Sequence, residues 1–200
     1  VGLSLILLMV VFRSIAVPVT ATLGYLLSLG AGMGAVGAVF GWGWAADLLA
    51  VSKVGAVISF LPVIVMGVLF GLAMDYQVFL VSRMREEWSR RRGDATDATP
   101  EDRREAAAVA VETGFQGSAK VVVAAAVIMI GVFIAFVHTD NVYVKPIALG
   151  LTVGIAADAF LVRMTLIPAL MAALGEKAWL LPTWLDRLLP VVDVEGEGLE

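Results

Sequence analysis

Cysteine is absent from the chain and histidine occurs once, at His138. No disulfide, no thiol nucleophile and no clustered soft ligands are therefore available, which removes most metalloenzyme and redox chemistries; no metal or organic cofactor is expected. Charge is scarce as well. Only 16% of the 200 residues are Asp, Glu, Lys or Arg, while 60% are hydrophobic, and the mean hydropathy is +0.92. That balance belongs to integral membrane proteins rather than soluble domains, and the net charge of −4 says little about partners. A nucleotide-binding fingerprint is missing too, because the glycine-rich stretch Gly30–Gly43 lies in an apolar segment with no strand before it. The cluster Arg83, Arg85, Arg90, Arg91, Arg92, Arg103, Arg104 and Lys120 is interleaved with Glu86, Glu87, Asp94, Asp97, Glu101 and Asp102. It reads as a solvated connection near anionic lipid, and no nucleic-acid partner is expected.

What the chain does contain is long apolar runs. The opening VGLSLILLMVVF, residues 1–12, is too short to span a bilayer and lacks a basic leader. It is expected to be the tail of a helix that begins upstream, so that the chain is part of a longer protein. Further spans are expected over residues 17–40, 60–82, 119–138 and 147–173, with a connection at 83–118. Pro62 and Pro146 suit first helical turns. Pro168, inside the last span, is expected to kink it by freeing the Met164 carbonyl. Thr99-Pro100-Glu101-Asp102 resembles a capping box that opens the helical second half of the connection, after a polar GDATDATP stretch. Trp42 and Trp44 mark a short interfacial segment, and residues 176–200 are expected to form an interfacial amphipathic helix with an acidic tail. The excess of Arg and Lys between Arg83 and Lys120 places that connection, Arg13 and the C-terminus on the cytoplasmic side of the cell membrane.

Two acids interrupt this apolar pattern. Each stands at the end of a four-residue series, Gly67-xxx-Gly71-xxx-Asp75 and Gly150-xxx-Gly154-xxx-Asp158. Spacing of four keeps each set on one helix face, so the glycines are expected to pack closely on a neighbour that the acid also meets. An acid at the centre of a spanning helix costs roughly 2.5 to 3.5 kcal/mol on insertion scales. Two on similar faces suggest ion or proton handling, against the plainer reading of hydrogen bonds between helices. Tyr76 can donate its hydroxyl to a carboxylate or simply pack. Arg163 follows Asp158 by five residues, about 500° along an α-helix, and so projects ~140° away from it. The expectation is that Arg163 reaches another helix or the interface rather than Asp158.

Longer stretches of text carry a family resemblance. GVLFGLAMDYQVFLVSRMREEW, ETGFQGSAKVVVAAAVIMIGVFIAF, GIAADAFLVRMTLIPALMAALG and WLLPTWLDRLLP resemble the C-terminal membrane half of MMPL transporters, within the resistance-nodulation-division superfamily. The similarity runs from Leu5 to Pro190. It implies an all-α integral membrane bundle of about four complete spans plus the truncated first one. It also implies proton-motive-force-driven export of lipids or other hydrophobic compounds, with protons as the coupling ion. The Asp-Tyr pair of the family's relay matches Asp75 and Tyr76, and the acid and arginine of its last helix match Asp158 and Arg163. Implied partners are membrane lipids, a hydrophobic or lipidic substrate and the remainder of the full-length transporter.

Two other classes compete with a non-enzymatic transporter. An intramembrane aspartyl protease also uses two membrane acids, but resembles a Tyr-Asp plus Gly-x-Gly-Asp pattern. Here the order is Asp75-Tyr76, and Ala156-Ala157 precede Asp158. A lipid-sensing module without coupled transport is the second alternative.

Overall fold

The computed structural model describes residues 2–49, 51, 55, 57–93 and 99–179, with backbone alone at 92–93, 100–104 and 176–177. The expected GDATDATP stretch falls largely outside these residues, as does the amphipathic helix from residue 180 onward. All regular secondary structure among the described residues is helical. Helix α1 is Gly2–Phe12 and α2 is Ala16–Val36, prolonged by a π-helical turn at Gly37–Gly41. Helix α3 is Leu61–Gly93 and α4 is Pro100–Val137. Helix α5, Val144–Ala156, runs into a π-helical segment, Ala157–Leu166, then into α6, Ile167–Leu174, and a 3-10 turn at Gly175–Trp179.

Four of the resulting rods are long and apolar enough to cross a membrane: Ala16–Gly41, Leu61–Arg91, Glu105–Val137 and Val144–Leu174. Helical structure thus enters the expected connection from both sides, since α3 continues to Gly93 and α4 starts at Pro100. Local chemistry explains several of the boundaries. Arg13 adopts the left-handed conformation, φ 45°, that commonly terminates a helix. Ser14 then accepts the Val17 N–H at 3.3 Å and caps the start of α2. Asn141 does the same for α5, its Oδ1 accepting the N–H groups of Tyr143 at 2.9 Å and Val144 at 3.1 Å. Hydroxyls within the spans are satisfied by the preceding turn of their own helix, as Thr20 on Ala16 O (2.9 Å) and Thr152 on Ala148 O (2.8 Å).

The chain divides into two compact units. One comprises Val1–Thr22, Gln77–Ser118 and Pro168–Glu200. In it Ser14 Oγ donates to Ala178 O at 2.5 Å, and Arg85 donates to Phe12 O at 3.2 Å while its guanidinium lies 5.8 Å from the Trp179 ring centre. Gly114 lets α4 approach the α3 backbone, because a Cβ there would stand 2.7 Å from Met84 Cα. Glu87 collects Arg90 at 2.6 Å and Arg91 at 3.1 Å.

The other unit comprises Leu23–Tyr76 and Ala119–Ile167. Its core gathers Tyr25, Val36, Phe40, Leu61, Val65, Leu69, Ala73, Leu149, Leu151 and Ile155. Helix α5 is its most enclosed element, with even Lys145 buried and donating to Leu49 O at 2.7 Å. Helix α4 contributes the opposite extreme: Val121, Val127, Ile128, Val132, Ile134 and Phe136 are all exposed, as side chains in contact with lipid tails should be.

Candidate functional site

Small residues bring three helices of the second unit close enough for a buried charge to be enclosed by polar partners. On α5 and its π-helical continuation the series Gly150, Gly154, Asp158, Val162 recurs every four residues. Facing it, α2 presents Gly24, Ser28 and Gly32, again at spacing four. A Cβ on Gly32 would fall 2.5 Å from the Gly150 carbonyl oxygen, and one on Gly24 would overlap Val162. A Cβ on Gly154 would sit 2.6 Å from Leu69 Cδ1 of α3. This is a seam of backbone approach, of the kind that small residues permit between membrane helices. Ser28 is its one polar rung on α2, and it meets Asp158.

Asp158 is 6% exposed and Arg163 is 2% exposed. Arg163 Nε donates to Asp158 Oδ2 at 2.6 Å, and a terminal guanidinium nitrogen lies 3.4 Å from Oδ1. That same nitrogen donates to the Ala73 carbonyl of α3 at 2.5 Å. Ser28 Oγ lies 3.2 Å from Asp158 Oδ1 and 3.0 Å from its own Gly24 carbonyl. The Tyr76 ring stands beneath the guanidinium, 5.5 Å from centroid to Cζ, within cation–π range. Every oxygen of the carboxylate thus has a donor. That is the condition under which a buried pair offsets its desolvation.

The expectation that Arg163 would miss Asp158 is corrected by this geometry, and the cause is the backbone. Between Ala157 and Leu166 the helix is π, bonded from residue i to i+5. The Ile167 N–H goes to Val162 O, and Thr165 Oγ1 goes to Phe160 O at 3.1 Å. In such a segment side chains five apart return to the same face. The ~140° separation calculated for an α-helix disappears.

A second correction concerns the other glycine face. Gly67 and Gly71 have nothing within 4 Å of a Cβ placed on them, and with Asp75 they are exposed. The stripe of α3 that does pack is Leu61, Val65, Leu69 and Ala73, exposed by 3% at most. Gly67, Gly71 and Asp75 each lie two residues from members of that stripe, about 200° around the helix. The packed stripe is bulky and the glycine stripe lies on the reverse. Among the described residues no hydrogen bond or ion pair joins Asp75 to Asp158. Tyr76, half-buried, is the member of the Asp-Tyr pair that reaches the site.

Ser28 and the Ala73 carbonyl are the site components that residue patterns did not single out. For Ser28 a signal existed, since Gly24-xxx-Ser28-xxx-Gly32 has the same spacing as the two glycine–acid series. No group of three or more Asp, Glu or His residues that could hold a metal ion occurs among the described residues.

A helical multi-pass membrane protein with an ion pair enclosed in one compact unit is the class these features define. The MMPL family profile matches residues 1–189, and the chain belongs to that family of membrane transporters, which are not enzymes. It is 42% identical over 199 residues, all but one of its own, to "Membrane protein YdfJ" of Bacillus subtilis, and it spans 26% of that protein. Over 96% of the chain it is 37% identical to the "Mycolic acid-containing lipids exporter MmpL11" of Mycolicibacterium smegmatis, covering 19% of its length. It is also 37% identical to the "Heme uptake protein MmpL11" of Mycobacterium tuberculosis, covering 96% of this chain and 18% of that protein. The chain therefore spans about a quarter or less of these curated relatives. Family membership sets aside the aspartyl protease alternative.

Proposed function

We propose that this chain carries part of the proton relay of a transporter that uses the proton-motive force to export lipids or other hydrophobic compounds. The observation that carries the reading is the buried Asp158–Arg163 pair, held by Ser28, Ala73 O and Tyr76. A carboxylate so placed changes the charge balance of a dry helix seam when it takes up a proton, and the seam must answer by shifting. One proton crossing 100 mV supplies roughly 2.3 kcal/mol, enough to move a two-state equilibrium well over tenfold. Asp75 and Tyr76 form the second station. The exposed Gly67–Gly71–Asp75 face then meets a segment of the longer protein, which the short coverage of the relatives supports. Gly150 and Gly154 hold the first station closed. Residues 1–175 make up the transmembrane bundle, with the basic connection and the C-terminus cytoplasmic.

Substrate class rests on the relatives' names. One is an exporter of mycolic-acid-containing lipids and another takes up heme, both apolar cargoes with polar ends. The reading is tested in full-length protein reconstituted into liposomes and loaded with a fluorescent long-chain lipid. Asp75→Asn and Asp158→Asn are each expected to abolish movement driven by an imposed proton gradient, with unchanged reconstitution efficiency. Lipid movement undiminished in either variant removes that acid from the relay.

A further inference from the structure

The relay reading leaves open how a carboxyl group enclosed this tightly can exist both with and without its proton. Asp158 Oδ2 is committed to Arg163 Nε at 2.6 Å. Oδ1 is the more loosely held oxygen, 3.4 Å from the Arg163 terminal nitrogen and 3.2 Å from Ser28 Oγ. Ser28 has a single hydroxyl hydrogen and two acceptors in reach, Asp158 Oδ1 and Gly24 O at 3.0 Å. It is 1% exposed, so no water shell substitutes for either.

We propose that Ser28 is the hydroxyl rotor through which Asp158 is hydrogen-bonded in both of its charge states, and hence a positioning residue of the site. With Asp158 ionised, the Ser28 O–H donates to Oδ1. When a proton from the aqueous side binds Oδ1, the new carboxyl O–H donates to Ser28 Oγ and the serine hydrogen turns to the Gly24 carbonyl. No bond of the serine is broken, and one proton has been added to the pair. Arg163 keeps its charge and its Ala73 carbonyl partner throughout. A carbonyl, an amide N–H or an aliphatic group in place of the hydroxyl serves one state and leaves a buried polar atom unpaired in the other.

The other groups around Asp158 do not take this part. Arg163 and Tyr76 are the titratable side chains at the site, and guanidinium nitrogen has no acceptor lone pair. On α2, Tyr25 is engaged with Met66 O at 3.3 Å. On α3, Asp75 is exposed, and on α5 Lys145 donates to Leu49 O. The stretch of α4 in this unit, from Ala119 to Val137, carries Lys120 alone, and it is exposed.

The inference rests on the relay reading, and infrared titration of full-length protein in lipid nanodiscs separates the two. The carboxyl C=O band of neutral Asp158 is assigned by its loss in Asp158→Asn. Ser28→Ala is expected to move that band to higher wavenumber, because the neutral carboxyl loses the hydroxyl that accepts its proton. Ser28→Cys, of similar size with a weaker donor, should fall between. Thr152→Ala, which removes a buried hydroxyl bonded to its own helix, should leave the band at its wild-type position. A band unchanged in Ser28→Ala overturns the rotor while leaving the relay intact. Absence of any titrating Asp158 band in the wild-type protein overturns the relay itself.

Discussion

The two glycine–acid series are alike on paper and opposite in space. Gly150, Gly154 and Asp158 face helix backbones and side chains at contact distance, and the acid ends in an ion pair. Gly67 and Gly71 have no described atom within 4 Å of an added Cβ, and Asp75 is exposed. The difference lies in the neighbours, not in the series. On α5 the residues that alternate with the stripe are also buried, so glycine decides how close α2 comes. On α3 a stripe of Leu, Val and Ala on the reverse side already satisfies packing. Four-residue spacing of small residues therefore marks a face fit for close approach, but which such face is used depends on which partners are present.

Four measurements test this contrast. The largest effect is expected for Arg163→Met, which leaves Asp158 buried without its cation and should cost the 200-residue chain about 3–5 kcal/mol in denaturant unfolding. Asp75→Asn should cost no more than ~0.5 kcal/mol by the same assay. Equal losses at both would abolish the distinction between a packed and an open acid. Next, Asp158→Leu combined with Arg163→Met should lose less than Arg163→Met alone, because no lone charge remains. Additive losses would mean that the pair is not the unit the geometry describes.

Glycine substitutions follow. In the 200-residue chain, Gly32→Ala forces a methyl onto the Gly150 carbonyl and should destabilise by ~1–3 kcal/mol, whereas Gly67→Ala and Gly71→Ala have room there and should stabilise α3 by ~0.5–1 kcal/mol each. Thermal unfolding in matched lipid-detergent mixtures checks the sign, and a stabilising Gly32→Ala would remove the seam. The smallest effect belongs to Arg83→Ala. Its pair with Glu86, at 3.1 Å, leaves both side chains more than half exposed. The loss should be below ~1 kcal/mol and vanish in high salt. A salt-resistant loss would place this pair in an environment like that of Asp158.

What the residues disclose of the fold and the site, and what they hide, has physical reasons. Apolar length locates spans well, because a bilayer demands it, and helix starts are legible where Pro fixes a first turn, as at Pro62 and Pro100, whereas the start of α5 at Val144, set by Asn141, precedes the expected 147. The same signals did not disclose that α3 runs on to Gly93, since the turns Arg83–Arg91 are mostly charged and their apolar burial is confined to Met84 and Trp88, too sparse to read as a span. At the site, the residues of the ion pair were legible but their contact was not. Periodicity arguments presuppose 3.6 residues per turn, and a π segment has no composition that distinguishes it. Ser28 escaped because a hydroxyl bonded to its own helix is an ordinary way to hide a polar atom. Only its second acceptor, 130 residues away, makes it special.

The π-helical segment has one more consequence. Down the last rod the enclosed face passes through Gly150, Gly154, Asp158, Arg163 and Ile167, advancing by four, four, five and four residues. The single step of five is a phase slip, like one extra tooth on a gear. Everything after it is indexed one residue later than an uninterrupted helix would allow. Straightening the slip would turn Arg163 off the carboxylate and hand its place to Val162, so one peptide's worth of helical winding decides whether the acid faces a cation or a hydrocarbon.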